Sequence, residues 1–375
     1  MDVRGQAQVG GRPGAVVVAA DGCLACVLDQ ASPRVAVLDP ARMRLLHEAS
    51  LAPAVGPLRS LGRHRDVVWL SPRSGALVPF RLASGTFGPA AGEGVTDLAF
   101  TADGGRASAV AVDAEGGVAW SLDERLRILQ VLRLPAPPVP GTLAVCERLG
   151  LAAVLVRAGE TASEHLVVWS QDPFQVVFVR EVGGGAGALA FSGKQDLLYV
   201  ARPRTGEVYA VDLPAGTVRR RVMILGRPFQ LAAEPDGAGV WAVSEQVEHI
   251  ARADLALGYG PAPVMLEGLS TAWTRLQFSP EGRLAALGES TRGHVMLLDM
   301  DPFSPTYGAP LDRIELGQEL SGLAWSPVGD AIFVASPSGS VTLVTVDRRD
   351  LPRKDTAEYL RSVDPSRINN PLFPP

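Results

Sequence analysis

The sequence predicts an all-β fold, and three observations predict it. A strand-and-turn pattern recurs along most of the 375 residues. Forty glycines and thirty prolines are spread through the chain, as many short strands and turns require. Before the last 25 residues, no window of eleven or more residues keeps the apolar spacing of an amphipathic helix without a Gly or Pro break.

The clearest copy of the pattern runs from Gly187 to Leu225. Turn residues separate four apolar or alternating segments, each of strand length. The predicted strands are Ala188 to Phe191, Leu197 to Ala201, Glu207 to Asp212 and Thr217 to Ile224.

The first turn of this unit recurs at regular intervals. It falls near Gly22, His64, Gly104, Gly150, Lys194, Gly237, Gly282 and Gly329. The steps average about 44 residues, which is the period of a four-stranded propeller blade. Eight units end near Asp350 and predict a single closed β-propeller of about eight blades. Seven blades is the alternative, with an irregular repeat near His64 or Gly150.

Closing a ring of sheets leaves only short, protected edges and requires a clasp between the two ends. The last repeat supplies three strands between Ser321 and Asp347, and residues 3–9 supply the fourth. We therefore expect a propeller domain at residues 1–350 and a C-terminal extension at 351–375.

Composition narrows the class of partner. The net charge is -5 and no basic stripe is present, so we expect no nucleic-acid binding. No apolar run is long enough to cross a bilayer, which predicts no membrane insertion. The first residues lack the apolar core of a signal peptide, so we expect a cytoplasmic protein.

Cys23 and Cys26 form a C-x-x-C that we interpret as two small buried apolar residues.

Several segments resemble the YVTN-type bacterial propeller repeat. Leu198-Tyr199-Val200-Ala201 followed by Val208 to Asp212 carries the likeness, as do Val35 to Asp39 and Val295 to Asp299. The turns FTADG, EPDG, FSPEG and WSPVG are similar to the FSPDG turn shared by YVTN and WD40 propellers. The resemblance implies a propeller fold and no particular activity. The chain lacks the Trp-Asp dipeptide of WD40 repeats.

Propellers bind partners at the axial mouth, where the loops that enter the innermost strands meet the loops between second and third strands. Arginine and aromatic side chains dominate interface energetics. The repeat register predicts a protein-binding patch there, with a soluble mixed-charge rim as the equal alternative. Its residues are Arg202, Arg204, Arg227, Phe229, Glu245, Glu248, Trp273, Arg275 and Arg292.

An enzyme is the competing hypothesis, because some proteins of this architecture are lactonases that hydrolyse sugar lactones in the channel. The histidines are scattered over different repeats with no pair at metal-ligand spacing. They are His47, His64, His165, His249 and His294. We therefore favour a non-enzymatic scaffold with no metal, no other cofactor and no catalytic residue.

The C-terminal extension leaves the repeat pattern. A short helix capped at Asp355 or Thr356 would place Tyr359 and Leu360 on one side, and a proline-rich end follows with Ile368, Leu372 and Phe373. Such segments serve as docking peptides. The sequence favours docking on a partner or a sister subunit, with a tail folded back on its own ring, or a disordered tail, as the alternatives.

Overall fold

A computed structural model gives the fold of the chain. It describes residues 1–52, 59–64, 66–72, 76–90, 94–101, 109–123, 126–157, 163–234, 239–245, 249–254, 259–265, 273–301, 304 and 306–347. Only the backbone is described for residues 59–64, 249, 254, 259–265, 273 and 274.

The strands form eight four-stranded antiparallel sheets, and seven of them are built from four consecutive segments in order from the axis outward. Blade I contains β2 (Pro13–Val18), β3 (Ala25–Asp29), β4 (Arg34–Asp39) and β5 (Arg44–Ser50), after the N-terminal strand β1 (Asp2–Gln8). Blade II contains β6 (Arg59–His64), β7 (Val67–Ser71), β8 (Val78–Arg81) and β9 (Thr86–Phe87). Blade III contains β10 (Val95–Phe100), β11 (Ala109–Asp113), β12 (Val118–Leu122) and β13 (Ile128–Arg133).

The next three blades follow the same order. Blade IV contains β14 (Ala144–Cys146), β15 (Leu151–Arg157), β16 (Glu164–Gln171) and β17 (Phe174–Glu181). Blade V contains β18 (Ala188–Phe191), β19 (Leu197–Arg202), β20 (Glu207–Asp212) and β21 (Thr217–Met223). Blade VI contains β22 (Arg227–Ala233), β23 (Val240–Glu245), β24 (His249–Asp254) and β25 (Tyr259–Met265).

The last two blades complete the set. Blade VII contains β26 (Trp273–Phe278), β27 (Leu284–Glu289), β28 (His294–Asp299) and β29 (Pro310–Glu315). Blade VIII contains β30 (Gly322–Trp325), β31 (Ala331–Ser336) and β32 (Ser340–Thr345), with β1 as its fourth strand.

The eight sheets close into a ring. Each sheet contacts the next in sequence, and blade VIII contacts blade I through β2 with β30 and β31. Within blade VIII, β1 pairs antiparallel with β32, from Asp2 opposite Thr345 to Gln8 opposite Ser340. The fold prediction of eight blades is confirmed, and the seven-blade alternative is wrong. The segments near His64 and Gly150 belong to complete blades II and IV.

The core consists of eight apolar clusters, one at each junction between neighbouring blades. In blade V, Leu198 and Val200 pack toward blade IV, whereas Tyr199 and Ala201 pack toward blade VI. Successive side chains of a strand point to opposite faces. This alternation lets one strand serve two junctions, and it explains why second and third strands are apolar at nearly every position.

A polar contact joins blades VI and VII. The buried carboxylate of Glu234 accepts hydrogen bonds from Trp241 Nε1 at 2.8 Å, from Arg252 Nε at 2.6 Å and from the Tyr307 hydroxyl. Arg252 also lies over the Tyr307 ring, 5.2 Å from its centroid. Because the buried carboxylate is paired and hydrogen-bonded, removal of one of its partners would leave a buried charge uncompensated and destabilise the junction.

The prediction for the two cysteines is half wrong. Cys26 is fully buried in β3, where burial raises its pKa, but Cys23 is exposed in the preceding turn. Asp21 Oδ1 holds that turn by accepting a hydrogen bond of 2.9 Å from Cys23 N, which orients the cysteine toward solvent. No helix in the described ranges is both long and apolar enough for a bilayer span.

Candidate functional site

A cavity of about 200 Å³ lies beside the inner strands of blades VII, VIII and I. Two glycines shape its wall where β2 and β30 meet. A side chain on Gly322 would overlap the carbonyl oxygen of Gly14, so the two backbones approach directly. The cavity is lined by Gly14, Ala15, Val16, Arg275, Ser321, Gly322 and Leu323.

Arg275 is the one charged side chain among the described residues that line this cavity. It is exposed and lies in β26 opposite Gly288, directly after a β-bulge. In the described part of the chain it has no hydrogen-bond or ion-pair partner. A free guanidinium at the wall of a cavity offers a fork of donors to a carboxylate or phosphate.

The other residues predicted for the mouth of blades VI and VII differ in their surroundings. Arg227 begins β22 and is exposed, and Arg292 is exposed in the turn between β27 and β28. Phe229 instead packs partly buried against the core between blades VI and VII.

Trp273 begins β26 opposite Glu289, and its side chain is outside the described part. Glu245, exposed, ends β23 opposite Arg227, and Glu248 lies outside the described residues.

Arg202 of blade V is held by its own blade, whereas Arg204 is exposed. Arg202 pairs with Glu207 at 2.8 Å, donates to the Tyr209 hydroxyl and lies over the Tyr209 ring. Its side chain is 14% exposed. A side chain on Gly183 or Gly185 would crowd Arg202 or Arg204 respectively. The run of glycines that joins blades IV and V therefore makes room for these two arginines.

Buried carboxylates organise the turns at this end of the ring. Glu289 is fully buried and accepts hydrogen bonds from Thr291 N at 3.0 Å and Arg292 N at 2.9 Å. Asp29 in blade I accepts from three backbone N–H groups. Burial raises the pKa of Asp29, but these hydrogen bonds outweigh it, and the pKa is lowered from its ordinary value.

His294 is the buried histidine of blade VII. Its Nδ1 is 3.6 Å from Glu289 and its Nε2 is 3.5 Å from Glu315, while Arg313 Nη2 approaches both ring nitrogens. The described residues contain no cluster of three or more His, Cys, Asp or Glu side chains arranged to hold a metal. The polar side chains around His294 contact one another, and Glu289 also accepts hydrogen bonds from the turn that precedes β28.

Comparisons with known proteins identify the fold and no family. No family model matches the sequence. No curated protein matches it either. Among solved structures, the chain is similar to the computationally designed Ika8 protein, with a TM-score of 0.68 and 16% sequence identity. The similarity covers 91% of this chain and 100% of that one. At this identity the likeness concerns architecture alone.

Two groups of residues differ between the sequence prediction and the described structure. Gly14 and Gly322 were not singled out from the sequence, although a glycine beside an inner strand signals close backbone approach. The residues predicted to dock in the C-terminal extension lie outside the described residues, so that prediction stays a prediction. They are Tyr359, Leu360, Ile368, Leu372 and Phe373.

Proposed function

We propose that the chain is a non-enzymatic scaffold that binds a partner protein at the axial mouth, through an acidic group of the partner that pairs with Arg275. The observation that carries the proposal is the guanidinium of Arg275, which has no partner among the described residues and lies at the wall of a cavity of about 200 Å³. Arg227 and Arg292 add exposed positive charge on blades VI and VII.

The geometry suits one carboxylate-bearing side chain. The other described residues of the wall are uncharged and run from Gly14 to Val16 and from Ser321 to Leu323. An arginine binds a carboxylate with two parallel hydrogen bonds, and such charge-assisted bonds are about twice as strong as neutral ones. The net charge of -5 argues against nucleic acid as the source of the anion.

Lactone hydrolysis is the rival proposal, and the described cavity wall supports it less well. Opening a lactone requires a group that activates water, and the usual side chains are carboxylates, histidines or metal ligands. Arg275 and Ser321 are the polar side chains among the described residues of this wall. The Ser321 hydroxyl donates to the carbonyl oxygen of Pro13 at 2.5 Å, with the carbonyl oxygen of Ala335 at 3.2 Å, so among the described residues no base is paired with it.

The test uses the full chain and a hexaglutamate peptide, with affinity measured by isothermal titration calorimetry. We expect Arg275→Gln to weaken binding roughly 10- to 150-fold, because one charge-assisted pair is worth roughly 1.5–3 kcal/mol. Arg220→Gln is the matched control, since Arg220 is exposed on the outer strand β21, far from the axis. Equal loss in both variants would mean that only overall charge attracts the peptide.

A second measurement separates the two proposals. The full chain is incubated with a panel of sugar lactones, and ring opening is followed by acid release. The scaffold proposal predicts the uncatalysed rate for every lactone. Turnover that Arg275→Gln abolishes would replace the scaffold with the hydrolase.

We also propose that the repeats are of the YVTN type and that the protein acts in a bacterial cytoplasm. The support is the likeness of the strand pairs Leu197–Arg202 with Glu207–Asp212, and of the third strands Arg34–Asp39 and His294–Asp299, to that repeat. Localisation of the tagged full chain by cell fractionation tests the compartment.

A further inference from the structure

Blade II has a gap in its outer edge. Its fourth strand, β9, is two residues long, whereas the fourth strands of the other seven blades have six to eight residues. Outer strands of neighbouring blades contact each other at β13 with β17, β21 with β25, and β1 with β5. A full-length outer strand therefore shields the next blade, and the short β9 leaves part of blade III uncovered.

The uncovered face of blade III is apolar. Val131 lies opposite Trp120 and Ile128 lies opposite Leu122, so these pairs share the face that turns toward blade II. Val131 is 60% exposed and Ile128 is 54% exposed. Exposed β-branched residues side by side on a strand mark an interaction surface or an aggregation hazard.

The floor of the gap is aromatic. Trp69 of β7 and Trp120 of β12 are half-buried against the core between blades II and III. We call this surface, formed by Trp69, Trp120, Ile128 and Val131, the rim notch. Tryptophan beside aliphatic side chains is the composition of an interface hot spot.

We propose that the C-terminal segment of the same chain, with Ile368, Leu372 and Phe373 among its prolines, docks in the rim notch. Proline-rich segments are extended before binding, lose little entropy and fit aromatic-lined grooves. The segment offers three apolar anchors within six residues, to match a notch of four apolar side chains. The proposal is independent of the axial binding site.

The length of the chain supports this assignment. The last described residue, Asp347, follows β32 in blade VIII, and blade I alone separates that blade from blade II. About 20 residues connect Asp347 to Ile368, enough to span roughly 70 Å when extended. Neighbouring sheets pack about 10 Å apart, so the notch is within reach. A tethered segment also has a millimolar effective concentration, which favours its own ring over a second copy.

The experiment is limited trypsin digestion of the full chain, with cleavage after Arg367 followed by mass spectrometry. A docked segment is protected, and the cleavage rate reports how often it leaves the notch. We expect Val131→Asp to accelerate this cleavage about tenfold, as the loss of roughly 1.4 kcal/mol would. Val177→Asp is the control, because Val177 is 51% exposed on β17, on the other side of blade III, and should leave the rate unchanged.

A variant in the segment keeps the test independent of ring stability. Phe373→Ser should accelerate cleavage as Val131→Asp does, and the double variant should add little, since both changes remove the same contact. An unchanged rate in Val131→Asp, or wild-type cleavage as fast as that of the free peptide 361–375, overturns the proposal. Protection that falls on dilution would assign the docked segment to a second copy and overturn the assignment to the same chain.

Discussion

At the scale of single residues, carboxylates that accept backbone N–H groups fix the loops at the axial end. Asp29 is 6% exposed and accepts from Arg12 N at 2.8 Å, Ala31 N at 2.7 Å and Ser32 N at 2.9 Å. Gly11 adopts a positive φ of 65°, and a side chain there would overlap Asp29 Oδ2. One carboxylate thus joins the chain entering β2 to the turn that follows β3.

We expect Asp29→Asn to reduce the free energy of unfolding at pH 7 by about 1–3 kcal/mol, because the amide NH₂ faces an N–H donor and leaves it unpaired. Urea denaturation followed by circular dichroism measures the change. Asp21→Asn is the control, since Asp21 lies in an exposed turn and should change stability by less than about 0.5 kcal/mol.

The stability of the wild type and that of Asp29→Asn should depend differently on pH. The folded state lowers the pKa of Asp29 below its ordinary value of 3.8, so its contribution is complete above that pH and is lost as pH falls through the folded-state value. The stability difference between wild type and Asp29→Asn should therefore shrink below about pH 3.8. A constant difference from pH 7 to pH 2.5 would contradict the role of the charge.

At the scale of elements, strand positions followed from the sequence where turn residues and period-two alternation agreed. All four strands predicted in the best repeat match β18, β19, β20 and β21 within one residue, because glycine, proline and aspartate mark each turn. The short β9 did not follow, although the step between the turns at His64 and Gly104 is the shortest of the series. The spacing between two turns fixes the number of residues in a repeat, but it does not show which strand of that repeat is shortened.

The candidate site was harder to predict than the strands. Register placed Arg275 at the axial end, but nothing in the sequence distinguished it from Arg202, which pairs with Glu207. The pairing depends on Gly183, where a Cβ would lie 2.7 Å from Arg202 Nη2. Such contacts between segments of different strands arise only after folding, and the spacing of residues along one strand does not encode them.

The contact between the inner strands of blades VIII and I gives an element-scale prediction. Gly322→Ala should lower the free energy of unfolding by about 1–3 kcal/mol, because the new methyl group overlaps the Gly14 carbonyl and the inner strands must separate. Gly187→Ala is the matched control beside the inner strand of blade V, where the Cβ would lie 3.1 Å from a Pro203 side-chain atom. Thermal unfolding measures both, and equal shifts would contradict the tight approach.

At the scale of the whole molecule, stability depends on closure. Each blade buries its two faces against two neighbours, so a ring open between blades VIII and I would expose the apolar cluster at that junction. The count of eight followed from the repeat length, because one period supplies one blade. The clasp joins residues more than 300 positions apart, and β1 completes a sheet whose other three strands come last in the ring.

Hydrogen–deuterium exchange of the unmodified chain tests this closure most directly. A closed ring predicts that the amides of β1 that pair with β32 exchange as slowly as those of an ordinary outer strand such as β5, since both open only with their blade. Exchange of residues 2–8 at the rate of an unfolded peptide, with β5 still protected, would contradict a ring closed by its N-terminal strand.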